Sequence, residues 1–159
     1  MIEALIFDWG DTVMRDYPEM PGPMFSWPHV ELVPGVLQVL EQFSSKYQCV
    51  IATNAGCSDT IAMRKALQRV DAERYFRFFF SSKDLGYQKP DPRFFTAIST
   101  SIGIAASNCL MIGNSYDKDI CSAQAAGMQT MFFNEKAIAG HYPQAGTIFQ
   151  HFDQLIQLL

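Results

Sequence analysis

A chain of 159 residues, 48% hydrophobic and 18% charged, is long enough for one sizeable core and too apolar for a disordered segment. Its formal net charge of −4 gives no electrostatic reason to expect nucleic acid or an anionic membrane as partner. Its four cysteines, Cys49, Cys57, Cys109 and Cys121, include no Cys-x-x-Cys pair; buried free thiols in a reducing compartment are expected, not zinc or a disulfide framework.

No apolar run approaches the length of a membrane span. No basic region precedes the first apolar residues, and that short run is needed as a strand, so a cytoplasmic protein is expected.

The chain opens on Ala4 to Phe7, an apolar run of strand length that fits burial on both faces and stops abruptly at Asp8. In open α/β sheets a carboxylate at the C-terminal end of a buried strand stands where ligands bind. Asp, Gly and Thr are equally ordinary turn residues, so Asp8-Trp-Gly-Asp-Thr12 taken alone also reads as a strand entering an Asx turn.

Residues 13 to 33 carry Pro18, Pro21, Pro23 and Pro28, which forbid regular helix, together with Tyr17, Phe25 and Trp27. A structureless stretch of that length is often functional, and we place it over the end of the first strand. Its aromatics can equally serve to cover the sheet edge.

Pro34 and Gly35 start a helix whose buried face is Val36, Val39, Leu40 and Phe43, with Pro34 in its first turn. Cys49 to Thr53 reads as a second buried strand, followed by Asn54, Ala55 and Gly56. Asp59 to Val70 reads as an amphipathic helix capped by Ser58. Phe78 to Phe80 is a short third strand and Ser81 to Gln88 a loop. After Lys89-Pro-Asp-Pro-Arg93 a helix runs through Ile102 on Phe94, Phe95, Ile98 and Ile102.

Cys109 to Gly113 is the next buried strand and leads into Asn114 to Asp119. Ile120 to Gly127 is a small-residue helix and Gln129 to Phe133 the last clear strand. A loop to Gly146 and a short closing helix over Asp153 to Leu159 follow. Strands alternating with helices predict an α/β fold, a Rossmann-like parallel sheet with helices on both faces, in a single domain without repeats.

In such a sheet Asp8, Thr53 and the Asn114 to Asp119 segment share one edge, with Lys89 in a loop before a helix. Two carboxylates, a hydroxyl and an ammonium suit phosphoryl transfer: one carboxylate attacks phosphorus and the other helps hold Mg²⁺, while hydroxyl and lysine stabilise the equatorial oxygens. Carboxylate, carbonyl and water are the ligands Mg²⁺ prefers.

Here the sequence resembles the haloacid dehalogenase superfamily of phosphatases, through four ordered motifs covering nearly the whole chain. Asp8-Trp-Gly-Asp-Thr12 looks like the nucleophile motif Asp-x-Asp-x-Thr, Thr53 like the second-motif hydroxyl and Lys89-Pro-Asp-Pro like the lysine motif. Gly113-Asn-Ser-Tyr-Asp-Lys-Asp119 resembles the acidic metal motif. The resemblance implies a Mg²⁺-dependent phosphomonoester hydrolase with Asp8 as nucleophile, and Thr53 and Lys89 on the transferred phosphoryl group. It further implies that the Asp8 carboxylate and Gly10 carbonyl ligate Mg²⁺, with Asp119 or Asn114 completing the set. Thr12 and Asn54 are assigned to substrate binding and to support of the loops, and Tyr17 and Trp27 to reading the substrate, with His29 a weaker candidate.

Two departures stand out. Gly10 occupies the position of the superfamily's general acid/base aspartate, and Asn114 stands where a second aspartate is usual. Asp11 is the sequence candidate for the missing proton transfer, although neighbouring residues usually point different ways. The alternative reading is therefore a catalytically weak or inactive phosphate-binding module of the same fold. A third is a scaffold whose partner surface is the proline-rich loop, and a phosphonatase would require a cap-borne lysine. Neither the gap before Pro34 nor that between Thr53 and Lys89 has room for a cap domain, so an open site is expected. Small or larger phosphorylated substrates fit such a site, and the aromatic loop is compatible with a homo-oligomer.

Overall fold

In a computed structural model, which describes residues 1–54 and 56–159, the strands form one all-parallel sheet. Ala55, read in the turn after the second strand, lies outside the described residues. The strands are β1 Ala4–Phe7, β2 Gln48–Thr53, β3 Phe78–Ser81, β4 Cys109–Gly113, β5 Gln129–Phe133 and β6 Thr147–Phe149. Their spatial order is β3-β2-β1-β4-β5-β6, which puts β1, the first apolar run of the chain, at the centre. The helices are α1 Val36–Phe43, α2 Thr60–Arg69, α3 Ser82–Leu85, α4 Pro92–Ile102, α5 Ser122–Ala125 and α6 Leu155–Leu158.

Alternation along β1 divides the core in two. Leu5 and Phe7 pack with Val36, Leu40 and Phe43 of α1, Met63 and Leu67 of α2 and Leu155 of α6. Ala4 and Ile6 pack on the opposite face with Phe94, Phe95 and Ile98 of α4 and Ala123 of α5. Fully burying one such large apolar side chain contributes about 1.5–3 kcal/mol, which is set against the entropy of ordering the chain. Phe7 is level with Ile51 on β2 and Ile112 on β4, so the residues just beyond them emerge along one edge of the sheet. The Asp8 backbone N–H still donates to the Ile112 carbonyl at 3.0 Å, which fixes where that residue leaves the ladder.

Several local readings are corrected. Asp59, not Ser58, caps α2: its carboxylate accepts from the Ala62 N–H, while the Ser58 hydroxyl accepts from the Met24 N–H. Two adjacent residues with equal capping chemistry cannot be ranked by type, and the loop decided between them. Pro34 precedes α1, whose cap is Gly35 at φ +85°. Residues 81–88 contain α3, held by a reciprocal box between Ser81 and Asp84. The segment after Asn114 is helical earlier than expected, as a π-helical turn over Tyr116–Cys121 that runs into α5. A sixth strand, β6, follows the last one read from sequence; three residues at a sheet edge, with Ile148 exposed, carry too little pattern to be seen. Of the thiols only Cys49 and Cys109 are buried, which pushes their pKa values up to about 12 and about 11.

The proline-rich segment is packed down rather than free. Met14, Met24, Trp27, Val30 and Val33 are buried in the core on the α1/α2 side. Arg69 of α2 donates to the carbonyls of Phe25, Trp27 and Pro28, and Arg15 forms a two-pronged pair with Glu135 beyond β5. Its aromatics serve packing: Trp27 is core, and Tyr17 stacks obliquely on it at 6.1 Å. Among the described residues no domain is inserted between β1 and α1 or between β2 and β3. None of the described helices is long and apolar enough to cross a membrane.

Candidate functional site

The strand ends converge on a buried ammonium. Lys89 Nζ donates to Asp8 Oδ1 at 2.6 Å, to Asp119 Oδ1 at 2.7 Å and to the Ala52 carbonyl at 3.1 Å. Lys89 is 4% exposed, Asp119 1% and Asp8 9%. A long flexible side chain reaches that position because its backbone is clamped from the end of β2. The Asn54 side-chain amide donates to the Lys89 carbonyl at 2.9 Å and its oxygen accepts from the Lys89 N–H at 2.8 Å. Asp91 then caps α4, so the loop carrying Lys89 is tied at both ends.

Asp119 is placed by the π-helical turn and by the absence of a side chain at Gly113. A β-carbon on Gly113 would lie 2.3 Å from Asp119 Oδ2 and 2.6 Å from its Cβ. The same carboxylate accepts from the Ser115 N–H at 3.0 Å. Gly113→Ala should therefore expel Asp119 from its position and, as an overpacking change, cost about 1–3 kcal/mol, read as a lower urea midpoint.

One ammonium faces two buried carboxylates. Burial, and then the nearby Asp8, push the Asp119 carboxyl up to about 6 despite Lys89. Burial works against the Lys89 ammonium, but Asp8 and Asp119 outweigh it and hold its pKa above the ordinary lysine value. The cluster is thus short of positive charge and favours an added cation. Thr12 Oγ1 lies 3.3 Å from Asp8 Oδ2 and 3.4 Å from Asn114 Oδ1, which brings that amide oxygen to the same corner. No three His, Cys, Asp or Glu side chains converge on one point among the described residues. The donors available are two carboxylates and an amide oxygen, a hard set that fits Mg²⁺ with water completing the shell.

A shallow cavity of about 200 Å³ opens here, lined by Asp8, Thr53, Asn54, Lys89, Asn114, Ser115, Lys118 and Asp119. The Thr53 hydroxyl donates to the Asn54 carbonyl at 3.2 Å, a proton that rotation about its C–O bond can redirect. Lys118 and Ser115 were missed in the sequence; a lysine between Asp117 and Asp119 was the available signal for the first. A second cavity of about 310 Å³ shares Thr53 and Asn54 and is walled by Gly10, Asp16, Tyr17 and Trp27. The two aromatics assigned to substrate reading therefore stand beside the first cavity, not in it.

The remaining candidates divide. Thr12 is fully buried, so its hydroxyl supports Asp8 and Asn114 and does not meet a ligand. Asn54 clamps Lys89. Asp11, at φ +54°, accepts the Asp16 N–H at 3.1 Å and lies 3.9 Å from Arg15. It lines a third cavity of about 490 Å³ that contains neither Asp8 nor Lys89. His29 is exposed beside Glu31. Asp16, not singled out in the sequence, stands on the walls of both the second and third cavities; partial desolvation, then Asp11 and Asp8, push its pKa upward.

Comparison with known proteins bears on the family and the fold. The Bacillus subtilis HAD-hydrolase YfnB is 30% identical over 105 residues, covering 65% of this chain and 43% of that protein. The ribulose-1,5-bisphosphate 5-phosphatase of Halopiger xanaduensis is 29% identical over 105 residues, 66% of this chain and 43% of that one. The chain thus spans less than half the length of these curated relatives. The crystal structure of B. subtilis YfnB bound to magnesium superposes with a TM-score of 0.80 at 17% identity, over 99% of this chain and 98% of that one, a likeness of fold. The sequence profile of the haloacid dehalogenase-like hydrolases matches residues 11–133. A match of that extent, on a sheet of this strand order, makes the kinship plain: the chain belongs to the haloacid dehalogenase-like hydrolases.

Proposed function

We propose that this chain is a Mg²⁺-dependent phosphomonoester hydrolase working through an aspartyl phosphate on Asp8. The observation that carries the reading is the Lys89 ammonium held between the Asp8 and Asp119 carboxylates at the mouth of an open cavity. A structural ion pair has no need of that mouth, and a buried group of this kind in a cleft is a functional-site candidate on physical grounds. Asp8, Asp119 and Asn114 would hold Mg²⁺ through their side-chain oxygens, with the Gly10 carbonyl as a further ligand. Bound there, the ion would supply positive charge for the phosphoryl oxygens.

The chain's own groups do the rest. Asp8 attacks phosphorus in line with the leaving oxygen, and Lys89 and the Thr53 hydroxyl hold the equatorial oxygens. Thr12 orients the nucleophile, and Asn54 fixes the height of Lys89 over it. The leaving group points toward the cavity walled by Tyr17 and Trp27, which accepts a small organic group and stays open for a larger one. The relative named for a sugar bisphosphate supports small phosphorylated substrates as the first class to test.

The test is phosphate release from para-nitrophenyl phosphate and from ethyl phosphate, with and without Mg²⁺. Release from either that requires Mg²⁺, with acid-stable label trapped on the protein, is the expected result. Inorganic phosphate that binds with Mg²⁺ in folded protein while neither ester turns over would replace this reading with that of a binding module.

A further inference from the structure

Departure of an alkoxide from phosphorus needs a proton, and the cluster around Lys89 has none to give freely, since both its carboxylates are engaged by the ammonium. We propose that Asp16 is the proton-transfer residue of this site. The inference rests on the phosphatase reading above and names a residue that the strand-end pattern does not contain.

Position is the argument. A β-carbon built on Gly10 would lie 3.3 Å from Asp16 Cβ and 3.4 Å from Asp16 Oδ2, so the Asp16 carboxyl fills the space into which a side chain at position 10 would grow. Position 10 is two residues beyond Asp8, and the cavity that Gly10 and Asp16 wall shares Thr53 and Asn54 with the first. Asp16 is exposed, and so open to an incoming ester. Asp11 is the carboxyl next to Gly10 in sequence, but its Oδ1 accepts the Asp16 N–H, so it positions Asp16 instead of replacing it. Arg15, paired with Glu135, anchors the intervening residue. A glycine at position 10 is then what allows the later carboxyl to approach.

The steps balance without any further reactant. An Asp8 oxygen forms a bond to phosphorus as the ester P–O bond breaks. The electron pair leaves with the ester oxygen, which takes the proton from the Asp16 carboxyl. Water then adds to phosphorus and its proton passes to the Asp16 carboxylate. The P–O bond to Asp8 breaks, returning the Asp8 carboxylate and releasing phosphate.

Asp16→Asn keeps the size of the side chain and removes the acid, and its exposure predicts unchanged folding by circular dichroism. Rapid-mixing experiments with Mg²⁺ should show para-nitrophenolate released in a burst of one equivalent at a rate within about threefold of the wild type, because that leaving group departs as a stable anion. The burst should be followed by slow turnover, as the second step lacks its base. First turnover of ethyl phosphate should fall by about 10²- to 10⁴-fold. A parallel loss for both esters, an unchanged ethyl ester, or the split appearing in Asp11→Asn and not in Asp16→Asn would overturn the assignment while leaving the phosphatase standing. Absence of Mg²⁺-dependent release from either ester in the wild type would instead remove the phosphatase reading, and Asp16 with it.

Discussion

Asp8→Asn should abolish phosphate release, by at least about 10⁴-fold, while leaving the protein folded. An amide has no anionic oxygen to attack phosphorus, so the covalent route closes for aryl and alkyl esters alike, in contrast to the split expected at Asp16. The surroundings tolerate the change. Lys89 keeps Asp119 and the Ala52 carbonyl as acceptors, and asparagine preserves the shape of the side chain. Removing the Asp8 charge also takes away one of the causes that push the Asp119 carboxyl upward, so Asp119 should ionise more readily in the variant. The measurements are steady-state phosphate release, acid-quench trapping of label, and thermal unfolding. Retained label in Asp8→Asn would mean that another residue carries the phosphoryl group.

Much of this site is legible because a buried strand has to end somewhere. Apolar runs that stop at Asp8, Thr53 and Gly113 mark the edge of the sheet, and a parallel sheet brings such edges together whatever the loops do. Lys89 was legible by its place before a helix-starting Asp-Pro, although nothing in its type foretold complete burial between two carboxylates. The unread parts depend on turns. Asp11 takes a left-handed φ and its carboxylate accepts the Asp16 N–H, and the following residues bring Asp16 over Gly10. Neither is visible in residue type or spacing, since both positions are acidic, polar and in a loop. For Asn54 the sequence supports a loop-supporting role, but not its partner: the amide spans two backbone atoms of Lys89, 35 positions away, a pairing that only the folded chain defines.

The helix ends tell the same story at lower stakes. Ser58 and Asp59 are interchangeable as caps by chemistry, and the proline-rich segment claimed the serine for Met24. That segment was legible as irregular from its prolines. Its degree of packing was not, because Met14, Met24 and Val30 follow no helical or strand period.

Lys89→Met should be the most destabilising single change at this site, at about 3–5 kcal/mol in metal-free protein near neutral pH, because it leaves two buried carboxylates facing each other with no cation between them. The pH dependence follows from Asp119. Its folded-state carboxyl already stands at about 6 and loses with Lys89 the contributions that lowered it, so it rises further in the variant. A group raised above its unfolded value stabilises the fold below the unfolded carboxylate range, near pH 4, and that contribution is lost as pH rises through the folded value. The variant should accordingly recover stability toward wild type on acidification from pH 7 to pH 5. Mg²⁺ should do the same at pH 7, since an ion that binds only the folded state raises its stability by about 2.7 kcal/mol at a hundredfold excess over its dissociation constant. Urea unfolding of wild type and Lys89→Met, at pH 5 and pH 7 and with and without Mg²⁺, separates these effects. A deficit in Lys89→Met that neither acid nor Mg²⁺ relieves would show that lysine serves packing alone. Relief by both would show that the ammonium stands in a place built for positive charge, which is the property a phosphoryl-transfer site requires of it.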